Sequence, residues 1–380
     1  MPMSRRHLIL GSAAAGSLAS LGTPGAAASQ TASGPAAAGG ASLRHRADAK
    51  GLLFGTAVGP LLDRDRAYRD AVVADCNAVV PEYEMKWKEV APAPGFYDFA
   101  ASDRRFAFAR DHGMEFRGHT LVWNDGMPDW FANHATRLNV EEMLAAHIGT
   151  VVGRYAGRVH SWDVVNEPLD LSGNGEGGWR RGTLLTLMGQ EYVAASFRIA
   201  AALDPRARLV LNEFGTLQAG PEAEAKRTAV LRLLERLRAA GVPVHAFGIQ
   251  GHIATAGRDA IDEAAVARFC AELAGMGLEV MLTELDVSDQ FAPADIPARD
   301  AAVADAYRRV LSVALDCPAT TAVLTWGLSD RNTWLAEHRA RADGLPVRPL
   351  LYDTEMRRKP AWDAVAAALD AAAPRPRRAG

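Results

Sequence analysis

The side chains in this sequence that could do chemistry fall at one kind of position, just past short apolar runs. Glu82 and Lys86 follow Ala78–Pro81, Arg117, His119 and Trp123 close the next run, and Asn166 and Glu167 close the one after it. Asn212 with Glu213, Gln250 with His252, Glu284 with Asp286, and Trp326 mark the ends of four more. Carboxylates, amides, imidazoles and indoles in one place suit glycoside hydrolysis. That reaction needs two carboxyl groups flanking the scissile bond, one a protonated acid and the other ionised. Sugar hydroxyls take hydrogen bonds from amides and histidines, and aromatic faces lie against the apolar side of the ring. Asn-Glu occurs twice, at 166–167 and 212–213, so the dipeptide alone does not choose between Glu167 and Glu213.

Eight runs must position these residues. They are Leu52–Val58, Ala78–Pro81, Glu115–Trp123, Val159–Asn166, Leu209–Glu213, Ala246–Gln250, Val280–Glu284 and Ala322–Trp326. Between them apolar residues recur at three- and four-residue spacing, as in Val230, Leu231, Leu234 and Leu237 before Gly241, which predicts helices. Strands apolar on both faces and separated by helices imply a parallel sheet. Eight such units predict an α/β fold, a (β/α)8 TIM barrel, as a single catalytic domain over residues 46–373. In that fold the C-terminal strand ends converge on one face, which gathers the polar residues named above.

The 380 residues are 49 % hydrophobic and 23 % charged, a soluble globular balance. A net charge of -3 gives no electrostatic case for nucleic acid or anionic membrane partners. Ser4-Arg5-Arg6 precedes an apolar stretch from Leu8 through Leu21, and Ala26-Ala27-Ala28 offers a small-residue cleavage site. Residues 1–28 therefore read as a twin-arginine export signal, with a periplasmic or secreted product. Residues 29–45 read as a flexible linker and 374–380 as a disordered tail. Cys76, Cys270 and Cys317 form neither a disulfide framework nor a metal motif. With no His-x-His pair and no H-E-x-x-H helix, no metal is expected, and no organic cofactor either. A phosphate-binding barrel would want a glycine-rich anion loop after the last two strands, where this chain has Glu-Leu-Asp and Trp-Gly-Leu. A monomer is the expected state.

The motifs themselves resemble glycoside hydrolase family 10, the endo-β-1,4-xylanase family. They are Pro81–Trp87 (P-E-Y-E-M-K-W), Arg117–Trp123 (R-G-H-T-L-V-W), Trp162–Pro168 (W-D-V-V-N-E-P), Asn212–Phe214, Gly248–His252 (G-I-Q-G-H), Thr283–Asp286 (T-E-L-D), Thr325–Gly327 and Lys359–Trp362. The resemblance implies Glu167 as acid/base and Glu284 as nucleophile in cleavage of internal bonds of a xylan-type polysaccharide. It implies Asn166 on the sugar 2-hydroxyl, and His252 and Asp286 as partners that orient Glu284 and keep it ionised. Glu82, Lys86, His119, Trp123 and Gln250 would grip the sugar on the non-reducing side, and Trp326 and Trp334 would wall the central ring. Retention of configuration follows where the carboxyl groups stand about 5–5.5 Å apart.

The chain departs from the family pattern on the glycone side. Tyr83 stands where the family usually has asparagine, and Asn124 and Gly126 where it usually has histidine and glutamine. A glycine there removes a donor and opens space. These changes allow the alternative of a decorated or non-xylan β-glycan, or of short oligosaccharides; a further alternative is a non-catalytic carbohydrate-binding protein. Glu213 and Asp163 are expected in supporting roles. Trp162 is expected in the core, Trp87 as a stacking surface, and Arg180 and Arg181 as solvated arginines of a glycine-rich loop.

Overall fold

The apolar runs become nine parallel strands in a computed structural model that describes residues 41–376. They are β1 (Leu53–Val58), β2 (Ala78–Pro81), β3 (Glu115–Trp123), β4 (Ser161–Asn166), β5 (Arg208–Glu213), β6 (Ala246–Ile249), β7 (His252–Ala254), β8 (Glu279–Ser288) and β9 (Thr320–Thr325). β1 pairs with both β2 and β9, and β6 pairs with β8, so eight strands close into a barrel. The ninth, β7, lies outside the ring against the end of β8, with His252 opposite Asp286. That extra pairing explains why β8 runs on to Ser288 instead of stopping at Glu284: its last residues have a partner of their own.

Helices follow the barrel strands, among them Arg66–Asp75, Ala100–Asp111, Val140–Tyr155, Glu191–Leu203, Pro221–Ala239, Glu263–Gly275, Ile296–Asp316 and Pro360–Ala371. Several start where an aspartate can accept from the first-turn amides: Asp65 from Tyr68, Asp262 from Ala265 and Asp295 from Ala298. The strands bury both faces. A large core lies between sheet and helices, and a smaller cluster of Ala57, Val80, Val210, Ala246, Met281, Ala322 and Leu324 fills the barrel under Trp326. Small residues dominate that inner layer because eight strands leave room for few side chains.

The domain bounds differ from those expected. The predicted export signal over 1–28, the linker as far as residue 40, and residues 377–380 lie outside the described residues. The end of the predicted linker is instead a helix, Leu43–Lys50, capped by Ser42, whose side chain accepts from His45 N. Leu43 and Ala47 are buried, Arg46 pairs with Asp370, and Lys50 Nζ donates to the carbonyls of Asp370 and Ala372, both at 2.7 Å. The predicted tail is also tied down at Arg375. Its guanidinium donates to the carbonyls of Leu315, Cys317 and Thr320, and its own amide donates to Lys50 O at 2.6 Å. Polar residues making main-chain contacts carry no apolar periodicity, so composition alone misread both ends.

Two glycines are required by close approach. A Cβ on Gly118 would lie 2.0 Å from Trp162 Cε3, and one on Gly248 would lie 2.2 Å from Asn212 Oδ1. The first lets a fully buried indole lie flat across β3. Gly118→Ala is therefore expected to cost about 1–3 kcal/mol through overpacking, read as a lower urea midpoint. Adding Trp162→Phe should recover part of that loss, and a Gly118→Ala protein of unchanged stability would remove the steric account.

Candidate active site

Alternation along β8 turns Glu284 and Asp286 to the same side. Glu284 is 5 % exposed; its Oε1 accepts from Asn212 Nδ2 at 2.7 Å, and its Oε2 lies 3.3 Å from His252 Nε2. His252 Nδ1 lies 2.9 Å from Asp286 Oδ1, and Trp334 Nε1 donates to Asp286 Oδ2 at 2.7 Å. Burial on its own would lower the imidazole pKa, but the charge and hydrogen bond of Asp286, helped by Glu284, push it up to about 10. Burial likewise works to raise Glu284, yet the hydrogen bond from His252 and the charges of His119 and His252 hold it below the usual carboxylate range. At neutral pH the pair is an imidazolium beside an ionised carboxylate.

Glu167 directly follows β4 with φ 54°, a left-handed conformation that costs a residue with a side chain about 1–3 kcal/mol. Its amide donates to Asn212 O at 2.9 Å, and its carbonyl accepts from Arg180 Nε at 2.8 Å. On the side chain, Oε1 accepts from Gln250 Nε2 at 2.9 Å and Asn166 Nδ2 at 3.2 Å, and Oε2 lies 3.2 Å from Arg180 Nη2. Asn212 Nδ2 also donates to Asn166 Oδ1 at 2.8 Å, so one amide network reaches from Glu167 to Glu284. Thr283 Oγ1 donates to Asn212 Oδ1 at 2.7 Å, which fixes which way that amide faces. Glu213, next along β5, points the other way. It accepts from the Leu169 and Phe214 amides and pairs with Lys226 at 2.8 Å, fully buried and away from the network.

The remaining expected residues adjoin this network. His119 Nδ1 lies 2.9 Å from Asp163 Oδ2, whose other oxygen accepts from Arg117 at 2.5 Å, so Asp163 supports the floor of the site. Trp326 meets both His119 and His252 edge-on, with ring centroids 5.2 and 6.4 Å away. Lys86 Nζ sits 4.1 Å from the Tyr83 ring centroid and 4.8 Å from that of Trp123. Burial lowers its pKa, opposed by the charges of Glu284, Glu82 and Glu167. Glu82 is raised by burial to about 7, against the pull of Lys86.

Three expectations need correction. Gly126 does not open space: a Cβ there would lie 2.9 Å from Trp123 Cε3 and 3.6 Å from Lys86 Cβ, so the indole and the lysine stem already fill it. Trp87 is 1 % exposed and stacked on His147 at 3.8 Å, because the helical turn Trp87–Val90 carries it into the core. Arg180 is no solvated arginine but a partner of Glu167, and its side chain is 18 % exposed. Of two residues central to the network, Asn212 was expected at the barrel mouth without a role in the reaction, and Arg180 was not expected in the site. Asn212 had a signal, its place at a strand end beside Glu213; Arg180, inside a glycine-rich loop, had none.

The His252 geometry makes a direct prediction. Its imidazole 13C resonances should remain those of the cation through neutral pH and titrate near 10, the value to which Asp286 and Glu284 raise it. Asp286→Asn should bring the transition down by more than about one unit, since it removes the charge that favours the protonated form. A wild-type midpoint near 6.5, the unperturbed value, would show that Asp286 does not hold the proton there.

Residues 42–368 match the family described as glycosyl hydrolase family 10. Endo-1,4-beta-xylanase 5 of Pyricularia oryzae is 33 % identical over 326 residues, covering 85 % of this chain and 76 % of that protein. Beta-1,4-xylanase of Dictyoglomus thermophilum is 34 % identical over 308 residues, with 78 % and 84 % covered. The crystal structure of native xylanase 10B from Thermotoga maritima superposes with a TM-score of 0.79 at 28 % identity, covering 87 % of this chain and 98 % of that one. A family match over nearly all the described residues, on a barrel with this constellation at its mouth, places the chain: it belongs to glycosyl hydrolase family 10.

Proposed function

We propose that the protein is a retaining endo-1,4-β-xylanase with Glu284 as nucleophile and Glu167 as acid/base. The observation that carries the reading is the network itself, in which a buried carboxylate is kept ionised beside an imidazolium and tied through Asn212, Asn166 and Gln250 to a second carboxylate. Ionised Glu284 attacks the anomeric carbon while Glu167 gives its proton to the leaving oxygen. In the second step Glu167 takes a proton from water, which releases the glycosyl group from Glu284. Asn166 spends one amide hydrogen on Glu167 and keeps the other for a sugar hydroxyl. His119, Gln250 and Trp123 line the glycone side, and Trp326 and Trp334 wall the sugar between the carboxylates. Endoxylanase relatives support xylan as the substrate class, and residues 1–28 add export by the twin-arginine route to the proposal.

A second reading, action on decorated or non-xylan chains or on short oligosaccharides, is favoured by one observation. The Lys86 ammonium lies over the rings of both Tyr83 and Trp123, and Tyr83 is 46 % exposed. Reducing ends released from linear xylan, glucuronoxylan, arabinoxylan, cellulose and xylo-oligosaccharides should rank the xylans first, and Glu284→Ala should abolish turnover. Glu167→Ala should retain cleavage of aryl glycosides with good leaving groups, and the first-formed product should be the β-anomer by proton NMR. No activity on any xylan would remove the xylanase reading.

Glu82 supplies a pH test. Its pKa of about 7 reflects burial, countered by Lys86, raised by Glu84 and lowered by a hydrogen bond from Tyr83. Above that pH it is a carboxylate able to accept from a sugar hydroxyl, and below it the added proton removes that acceptor. KM for xylo-oligosaccharides should therefore rise as pH falls through about 7. Glu82→Gln should have a raised KM without this dependence, and an unchanged KM profile in the variant would take Glu82 out of the subsite.

A further inference from the structure

Arg180 lies in the loop between β4 and the helix Thr183–Met188. Its amide donates to Pro168 O at 2.8 Å, and its guanidinium carbon sits 5.6 Å from the Phe214 ring centroid. From that anchored position Nε donates to the carbonyl of Glu167 at 2.8 Å, and Nη2 lies 3.2 Å from Glu167 Oε2. Nη1 lies 3.8 Å from Asp125 Oδ2, on the loop after β3. One planar fork thus holds both the main chain and the carboxylate of a residue in the left-handed region.

The charges that face Glu167 come from several elements. Lys86 reaches it from beyond β2, and Glu213 from β5, where Lys226 pairs with it, while Glu284 on β8, beside the His252 imidazolium, is joined to it through Asn212 and Asn166. The direct partners of the carboxylate are neutral Gln250 and Asn166, and Arg180. Among the described residues, then, the one cation in contact with this carboxylate is Arg180. A retaining acid/base gives its proton to the leaving oxygen and then takes one from water, so both steps depend on where its carboxyl group is held.

We propose that Arg180 is a positioning residue for Glu167: its fork holds the main chain and the carboxyl group of the acid/base together in the left-handed conformation. The inference rests on the reading of Glu167 as acid/base. Arg180→Gln removes the charge and keeps a planar donor, whereas Arg180→Lys keeps the charge and loses the fork.

Three measurements on the purified protein with aryl β-xylobiosides test it. In Arg180→Gln kcat/KM on a poor leaving group, which needs the acid, should fall about tenfold. Its kcat on a dinitrophenyl xylobioside, where deglycosylation limits and the base is needed, should also fall about tenfold, while kcat/KM on that substrate, whose leaving group needs no acid, should stay within about twofold. Arg180→Lys, which lacks the fork, should show the same split. Equal loss of kcat/KM on both substrates would overturn the proposal and leave Arg180 a packing residue. Glu167→Ala separates the two levels: were its rate insensitive to leaving group and unrescued by azide, the acid/base reading itself would fall, whatever Arg180 does.

Discussion

The constraint on which the site depends is that a carboxylate nearly sealed from water has to stay charged. Burial alone would neutralise Glu284, and the chain answers with three kinds of support: an imidazolium at 3.3 Å, an amide donor at 2.7 Å and the neighbouring His119 ring. Each support has its own support. His252 is held protonated by Asp286, Asp286 is fixed by the Trp334 indole, and Asn212 is oriented by Thr283 across the space that Gly248 leaves. Because the imidazolium is raised to about 10, its contribution to stability is fully present below about pH 6.5 and fades as pH climbs through about 10. The same contacts therefore hold the site together and set the pH range in which it is charged correctly.

Below that layer the barrel repeats the pattern with a different cation. Asp163 is fully buried on β4, and its desolvation is outweighed by the Arg117 charge and by His119, which hold it below the usual carboxylate range. Arg117 Nε also donates to Ser161 Oγ at 2.9 Å, and Thr120 Oγ1 donates to Asp163 O at 2.7 Å. β3 and β4 are thereby locked in register beneath His119, which in turn acts on Glu284. Removing one member of such a buried pair leaves the other uncompensated, typically at a cost of about 3–5 kcal/mol. The fold and the site are thus joined at single residues.

What the sequence made legible follows from which signals are periodic. Strands buried on both faces write uninterrupted apolar runs, so the barrel and its order were readable, and polar residues at the run ends marked the mouth. The short β7 and the long end of β8 were not, because a three-residue strand pairing outside the ring leaves no run of its own. Contacts made by side chains to main-chain carbonyls leave no pattern either, which hid Arg180 on Glu167 and Arg375 on the first residue of β9. Gly126 misled for a related reason: a glycine reads as empty space until the neighbouring Trp123 and Lys86 are seen to occupy it.

The clasp between Lys50 and Arg375 has a consequence for how the molecule can be handled. Both residues sit beside the strand starts, near Leu53 and Thr320, on the pole opposite the carboxylates. The two ends of the folded chain are neighbours there, an arrangement suited to circular permutation and to attachment at a surface. A barrel immobilised or fused through either end would hold its carboxylate face away from the point of attachment, unobstructed by the support or the fusion partner.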